Sequence, residues 1–436
     1  MTNPTLYVVH CVDTEGPLDE TLGATFERIK AIYGLDFEPT PENLLMIQGG
    51  QGVPRDPELS GELAEVFSPE NLNYNRTLED LDEMNDVVFS DDYRSRFVDD
   101  AGETWRISWF CMDHLSYPSN PRNKRTGLGE IHDYYKRRME LNPSLNDEIQ
   151  LHFHPRSIGN DPISAATSYG NSYPELLSAL AFRLINFGWF PVAFRPGFHS
   201  IRPDSHLFLE QWFPLDFSNQ FHEDETSQPD LKGGRFGDWR FAPSSWRGYL
   251  PSLTDYQRPG GLRRRTFRCL NLGTRHRLLS KDHVREAFAE ATELGTAVLA
   301  FTDHDFRDIK PDIEKVNSWI DEVRTDFPPA NVRFATASEV GRIFSEEQKD
   351  IKFVANLRAN RLEVTVTEGA PFSHQPFLAV KTTNGSYLSD NFDRGAGQGE
   401  WHYTFDEMTF PLVNVDRVGV AMTGENASVQ TVVIDT

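Results

Sequence analysis

Cysteine is scarce in this chain of 436 residues, and the three that occur, Cys11, Cys111 and Cys269, lie far apart. An odd number without a Cys-x-x-Cys pair argues against a disulfide framework and against a thiolate zinc site. No apolar run approaches the ~20 residues needed to span a bilayer. No basic and apolar leader precedes the strand-like residues 6–9. The sequence therefore predicts a cytoplasmic protein with no membrane span.

Basic residues are also few: 43 Lys and Arg stand against 66 Asp and Glu, a net charge of −23. The one short basic run is Arg263-Arg264-Arg265, so nucleic acids and anionic lipids are poor partners. A neutral or cationic small molecule or oligosaccharide fits better, although acidity that only maintains solubility explains the charge equally well. The sequence leaves the oligomeric state open.

The order of apolar segments predicts the fold class. Strand-like runs alternate with helix-like stretches, which indicates βα units and a mainly parallel sheet, either open or closed into a barrel. The runs lie at residues 6–12, 105–112, 148–153, 190–194, 214–217, 296–302 and 332–336. Residues 17 to about 100 interrupt this order, and an insertion of this kind often covers an active site. Short alternating runs between residues 350 and 436 predict a separate β-sandwich.

Two motifs at predicted strand ends contain candidate metal ligands. Asp13 and Glu15 are two apart, as are His152 and His154, so each pair projects to one face of its strand. Ligands bind at the carboxyl ends of parallel strands. Together the two motifs supply an N2O or N2O2 donor set that suits zinc, with iron, cobalt and nickel as alternatives. A solvated loop and two hydrogen-bonded histidines are the alternative interpretations.

Two further strand ends contain candidate catalytic groups. Arg195 begins an Arg-Pro-Gly turn and is suited to fixing a carboxylate, in catalysis or in a structural ion pair. His304 lies between Asp303 and Asp305. Because neighbouring carboxylates raise the pKa of an imidazole, His304 is expected to act as a general acid; the alternative is a surface histidine in an acidic loop.

In this order, these four segments resemble the motifs of the polysaccharide deacetylase family of carbohydrate esterases. The resemblance covers roughly residues 5 to 342 and extends to residues 216–219 and 249–252. It implies a distorted (β/α) barrel of about seven strands over residues 1–345, with the β-sandwich at 350–436 outside it. It also implies a metal-dependent hydrolase that removes an acyl group, such as acetyl, from a carbohydrate.

The resemblance assigns a role to each residue. Asp13 corresponds to the general base, Glu15 to a metal ligand, Arg195 to the group that orients the base, and His304 to the acid. Thr14 separates the two acids, which are adjacent Asp residues in better-known members. Arg156 stands four residues after His152, where the family has histidine, so His154 is assigned as the second imidazole ligand.

Other functions remain open at this stage. Asp13 with Asp303 or Asp305 would supply the two carboxylates of a glycoside hydrolase. A non-sugar amide hydrolase on the same fold and a catalytically silent carbohydrate-binding protein are further alternatives. For any sugar substrate, Trp239 and Tyr249 are the candidate stacking residues, although such aromatics are more often part of a core.

Overall fold

A closed parallel barrel forms the first part of the molecule, as the resemblance implies. The computed structural model describes residues 3–113, 129–155, 168–170, 172–223, 237–273 and 277–436. In these residues seven strands pair in the order β1 to β7 and back to β1, and β8 adds to the edge of β1. The strands are β1 Thr5–Thr14, β2 Ile107–Asp113, β3 Glu148–Phe153, β4 Ala193–Pro196, β5 Leu215–Asn219, β6 Arg265–Asn271, β7 Thr296–His304 and β8 Asn331–Phe334.

Strand β1 pairs with three neighbouring strands. One edge pairs with β7 from Thr5 to Asp13. The other edge pairs with β8 over its first residues and with β2 only from His10 onward. The barrel therefore closes around the C-terminal half of β1, where Asp13 lies.

Helices cover the outside of the barrel and fill the insertion. Five of them lie within residues 17–100, where α1 to α3 enclose a small apolar core of their own. Side chains of Thr21, Thr40, Asp56, Thr77 and Ser90 cap their N-termini. The helices are α1 Leu22–Tyr33, α2 Pro41–Gln48, α3 Pro57–Val66, α4 Leu78–Val88, α5 Asp91–Arg94, α6 Glu130–Leu141, α7 Tyr173–Phe187, α8 Pro203–Trp212, α9 Lys281–Leu294, α10 Lys310–Val323 and α11 Ala337–Phe344.

The C-terminal part consists of two four-stranded antiparallel sheets with an apolar core between them, which confirms the predicted β-sandwich. Its contact with the barrel is also apolar: Phe377 and Ala421 share a core with Phe190 and Trp212. The strands are β9 Lys352–Arg358, β10 Arg361–Glu368, β11 Phe377–Thr382, β12 Tyr387–Asp390, β13 Asp393–Arg394, β14 Glu400–Thr404, β15 Val415–Thr423 and β16 Val429–Asp435.

Among the described residues no helix has both the length and the hydropathy to cross a bilayer.

The arginine run does not form a basic surface patch. Arg264 is fully buried and lies 3.3 Å from Asp216, and Arg263 faces Glu210.

Candidate metal centre

The four predicted motifs meet at the C-terminal ends of the barrel strands. Asp13 of β1 pairs with His304 of β7, and His152 of β3 pairs with Arg195 of β4. Beneath these side chains, Phe110 and other buried apolar residues fill the barrel. The interior is therefore a packed core, and the polar groups are confined to its open end.

Asp13 and Arg195 form a buried, doubly hydrogen-bonded ion pair. Arg195 donates from Nε to Oδ1 at 2.7 Å and from Nη2 to Oδ2 at 3.0 Å. Its Nη1 donates to the Phe217 carbonyl and to the Cys269 sulfur. Burial raises the pKa of Asp13, but Arg195 and His152 outweigh it, so the pKa is lowered overall. Asp13 is therefore an ionised carboxylate held in one orientation.

Glu15, His152 and His154 direct three donor atoms at one point. The two Nε2 atoms lie 2.9 Å apart, and Glu15 Oε1 lies 3.2 Å from that of His154 and 3.8 Å from that of His152. A tetrahedral ion with bonds of ~2.0–2.2 Å holds its ligands about 3.3–3.6 Å apart, and the three separations, from 2.9 to 3.8 Å, bracket these values. Two nitrogens and one carboxylate oxygen are a donor set that a divalent metal ion can bind. The residues present therefore fit a divalent cation.

Carboxylates lie on both sides of the His152 ring: its Nδ1 is 3.4 Å from Asp13 Oδ1, and its Nε2 is 3.8 Å from Glu15 Oε1. With the proton on Nδ1, the ring would direct the lone pair of Nε2 at a metal bound to Glu15 and His154. A carboxylate behind a ligand histidine plays this part in many metal sites.

Asp305 fixes the loop that carries Glu15. The backbone N–H groups of Glu15 and Gly16 donate to Asp305 at 2.8 to 3.1 Å, and the Tyr135 hydroxyl donates to it at 2.9 Å. Burial raises the pKa of Asp305 to about 7. Asp305 was noticed in the sequence because it is next to His304, whereas no sequence pattern pointed to Tyr135.

His304 lies over the Asp13 carboxylate, with Nε2 4.0 Å from Oδ2, and its ring contacts Phe306. The expected rise in its pKa is wrong. Burial lowers the pKa of His304 to about 4, although Asp13 and Glu15 act in the opposite direction. His304 is therefore neutral near pH 7.

Asp303 lies on the outer face of β7, away from Asp13, because successive side chains of a strand alternate between its faces. Its Oδ2 lies 3.0 Å from His10 Nε2, while Trp105 donates to Nδ1 of the same ring at 3.1 Å. Because tryptophan can only donate, His10 carries its proton on Nε2 and donates it to Asp303. With Asp305 bound to backbone N–H groups, neither acid is placed as the second catalytic group of a glycoside hydrolase.

The predicted sugar-stacking residues are largely enclosed. Trp239 is fully buried, and its indole N–H donates to the His199 carbonyl at 2.9 Å. Tyr249 is 7% exposed, and its hydroxyl donates to the Tyr256 carbonyl. Their role in substrate binding stays a prediction. Arg156 lies outside the described residues.

A second group of potential ligands consists of His222, Glu223 and His283, and the last two are already engaged in hydrogen bonds. Arg268 donates to Glu223 at 3.0 Å. The Ser280 backbone N–H donates to His283 Nδ1, which places the proton of this ring on Nε2, 3.1 Å from Glu223. The His283 nitrogen that faces Glu223 therefore offers no lone pair to a metal.

Comparison of the chain with models of protein families, with curated proteins and with solved structures gives no significant match. The resemblance to polysaccharide deacetylases therefore stays a prediction, and any functional conclusion depends on the chemistry of the site.

Proposed function

We propose that this protein is a metal-dependent hydrolase that removes an acyl group, such as acetyl, from a carbohydrate. The observation that carries the proposal is the convergence of Glu15, His152 and His154 beside the Asp13–Arg195 pair. A bound divalent ion, for which zinc is the first choice, would polarise a carbonyl oxygen and favour ionisation of water at neutral pH.

The chain's own residues account for the movement of protons. Asp13 accepts a proton from the attacking water, and Arg195 keeps its carboxylate ionised and aimed until then. Because His304 is neutral near pH 7, it must acquire a proton during the reaction. Asp13 Oδ2 lies 4.0 Å from its Nε2 and can pass on the proton taken from water. His304 then protonates the departing amine or alcohol, which restores both groups.

The insertion favours a small substrate over a long polymer. Asn75 donates its side-chain N–H to the Asp305 carbonyl and its backbone N–H to the Phe306 carbonyl, and the Tyr74 and Phe306 rings are in contact. The insertion therefore packs against the loop that follows His304, beside the site. A chain end or a free, nucleotide-linked or lipid-linked acylated sugar would fit better than a polymer that needs an open groove.

Metal content and acyl release together test the proposal. We expect about one zinc ion per chain, and acetate release from small acetylated sugars that a chelator abolishes. Glu15→Gln should lose both, whereas the matched control His283→Gln should retain both, because the His283 nitrogen that faces Glu223 offers no lone pair. Faster release from chitin-like or xylan-like chains would contradict the small-substrate part.

The alternatives give different results in the same assay. Hydrolysis of cyclic imides or other non-sugar amides without acetate release would identify an amide hydrolase. New reducing ends that appear despite the chelator would identify a glycoside hydrolase. Sugar binding without metal or turnover would identify a silent carbohydrate-binding protein.

A further inference from the structure

His152 and His154 are held in very different ways. His152 lies within β3, pairs in register with Arg195, and has Asp13 behind its ring. His154 is one residue beyond the end of β3 and is more exposed, at 17% of its side chain. A ligand outside the strand needs another support if its imidazole is to stay aimed at the metal.

The turn Gly197–His199, which follows β4, contacts the His154 ring on two sides. A Cβ placed on Gly197 would lie closer than 3.0 Å to three ring atoms of His154, a separation that real Cβ atoms do not show. The ring therefore lies directly against the Gly197 backbone. The Phe198 ring meets it edge-on, at 5.1 Å between centroids and an angle of 75°.

This turn has an unfavourable backbone conformation that its surroundings enforce. Phe198 has φ 55° and ψ 21°, and His199 has φ 50°, the left-handed region that residues with a Cβ rarely adopt. The Gly237 N–H donates to the Phe198 carbonyl at 3.0 Å, and the Trp239 indole to the His199 carbonyl at 2.9 Å. Two successive strained residues held by outside hydrogen bonds are typical of functional sites.

We propose that the turn Gly197–His199 is a preformed support that positions the His154 imidazole for metal binding; this inference rests on the proposed metal-dependent function. Gly197 supplies the flat surface under the ring, Phe198 blocks its rotation, and Trp239 holds the turn from behind. Trp239 then acts through the turn and not through contact with substrate. The strained conformation of the turn places Phe198 against His154, which lies beyond the end of β3.

The decisive variant is Gly197→Ala, with Gly261→Ala as its matched control. Neither glycine has a positive φ, and a Cβ on Gly261 would meet no atom within 4 Å. The two variants therefore add the same methyl group, but only one displaces His154. Changes in residues that support ligands cost about 10- to 100-fold in metal affinity. We expect that loss of zinc affinity for Gly197→Ala, measured by competition with a chromogenic chelator, and wild-type affinity for the control.

Two further measurements separate positioning from a general loss of structure. The visible spectrum of the Co²⁺-loaded protein should change in Gly197→Ala, while the circular dichroism of the metal-free protein should not. Phe198→Leu should also weaken zinc binding, and Phe198→Tyr, which keeps the ring, should restore it. Wild-type affinity and cobalt spectrum in Gly197→Ala would overturn the inference alone. Wild-type protein that binds no metal would overturn both the inference and the proposed function.

Discussion

Replacing Asp13 by Asn tests what the Asp13–Arg195 pair contributes to stability and what it contributes to catalysis. Both side chains are essentially inaccessible, at 1% and 0% exposure. Removal of one partner from a buried pair leaves an uncompensated charge and typically costs 3–5 kcal/mol. Since Asn retains one acceptor oxygen, we expect a loss near the lower limit, about 3 kcal/mol, measured by chemical denaturation.

The double variant Asp13→Asn/Arg195→Met distinguishes the two contributions. No unpaired buried charge remains, so its stability should exceed that of Asp13→Asn. Acyl release should fall by about 10²- to 10⁴-fold in Asp13→Asn and should not recover in the double variant. At saturating zinc the content should stay near one ion per chain, because Glu15, His152 and His154 are unchanged, while zinc affinity should fall by about 10- to 100-fold because Asp13 supports His152. Recovered activity would show that Asp13 is only structural, and a protein that takes up no zinc even at saturation would show that it is a ligand.

The pH dependence gives a further check on the same pair. The folded-state pKa of Asp13 is lowered from its usual 3.8. Ionised Asp13 therefore contributes stability that is fully present above the unfolded-state pKa and is lost as pH falls through the folded-state value. The stability deficit of Asp13→Asn should be constant between about pH 5 and 8 and should shrink only below about pH 4. A deficit that disappears near pH 6 would refute this assignment.

Three other predictions concern the remaining parts of the molecule. Both ring nitrogens of His132 are buried without a hydrogen-bond partner, and burial lowers its pKa to about 2. His132→Phe should therefore raise the melting temperature. The increase should grow below pH 6.5, because there the unfolded wild type gains a proton that the folded protein does not bind. Truncation after Lys349 should give an aggregating fragment, detectable by light scattering, because Phe190 and Trp212 lose their apolar partners. Zinc at about 100 times its dissociation constant should stabilise the protein by about 2.7 kcal/mol, reversed by a chelator.

The fold was largely predictable because strand periodicity is a local property. Apolar runs that end in polar residues gave six of the seven barrel strands, and β8, within a few residues, with β3 at its actual bounds. Strand β6 was missed, since arginines interrupt its apolar pattern. Arg264, just before it, is buried against Asp216, and Arg268 within it lies between Glu223 and Glu286. Pairs between distant residues are not visible in a single sequence.

The candidate site was predictable in its members but not in its electrostatics. Same-face spacing and shared strand ends brought Asp13, Glu15, His152 and His154 together as expected. The shift in the pKa of His304 was predicted in the wrong direction, because the sequence shows its acidic neighbours but not its burial. Burial is decided by the closing of the barrel around it, and here it outweighs both carboxylates.

The pairing of β1 explains why these groups meet at one end of the barrel. Its N-terminal half is shared between β7 and β8, and β2 joins only from His10 onward. Pairing with β7 makes His304 the direct neighbour of Asp13, and pairing with β2 closes the barrel and leaves one strand between Asp13 and His152. The closed barrel buries the Asp13–Arg195 pair, whose carboxylate faces one fixed cation and two imidazoles. The register of β1 with both neighbours therefore brings together the charged groups of the site.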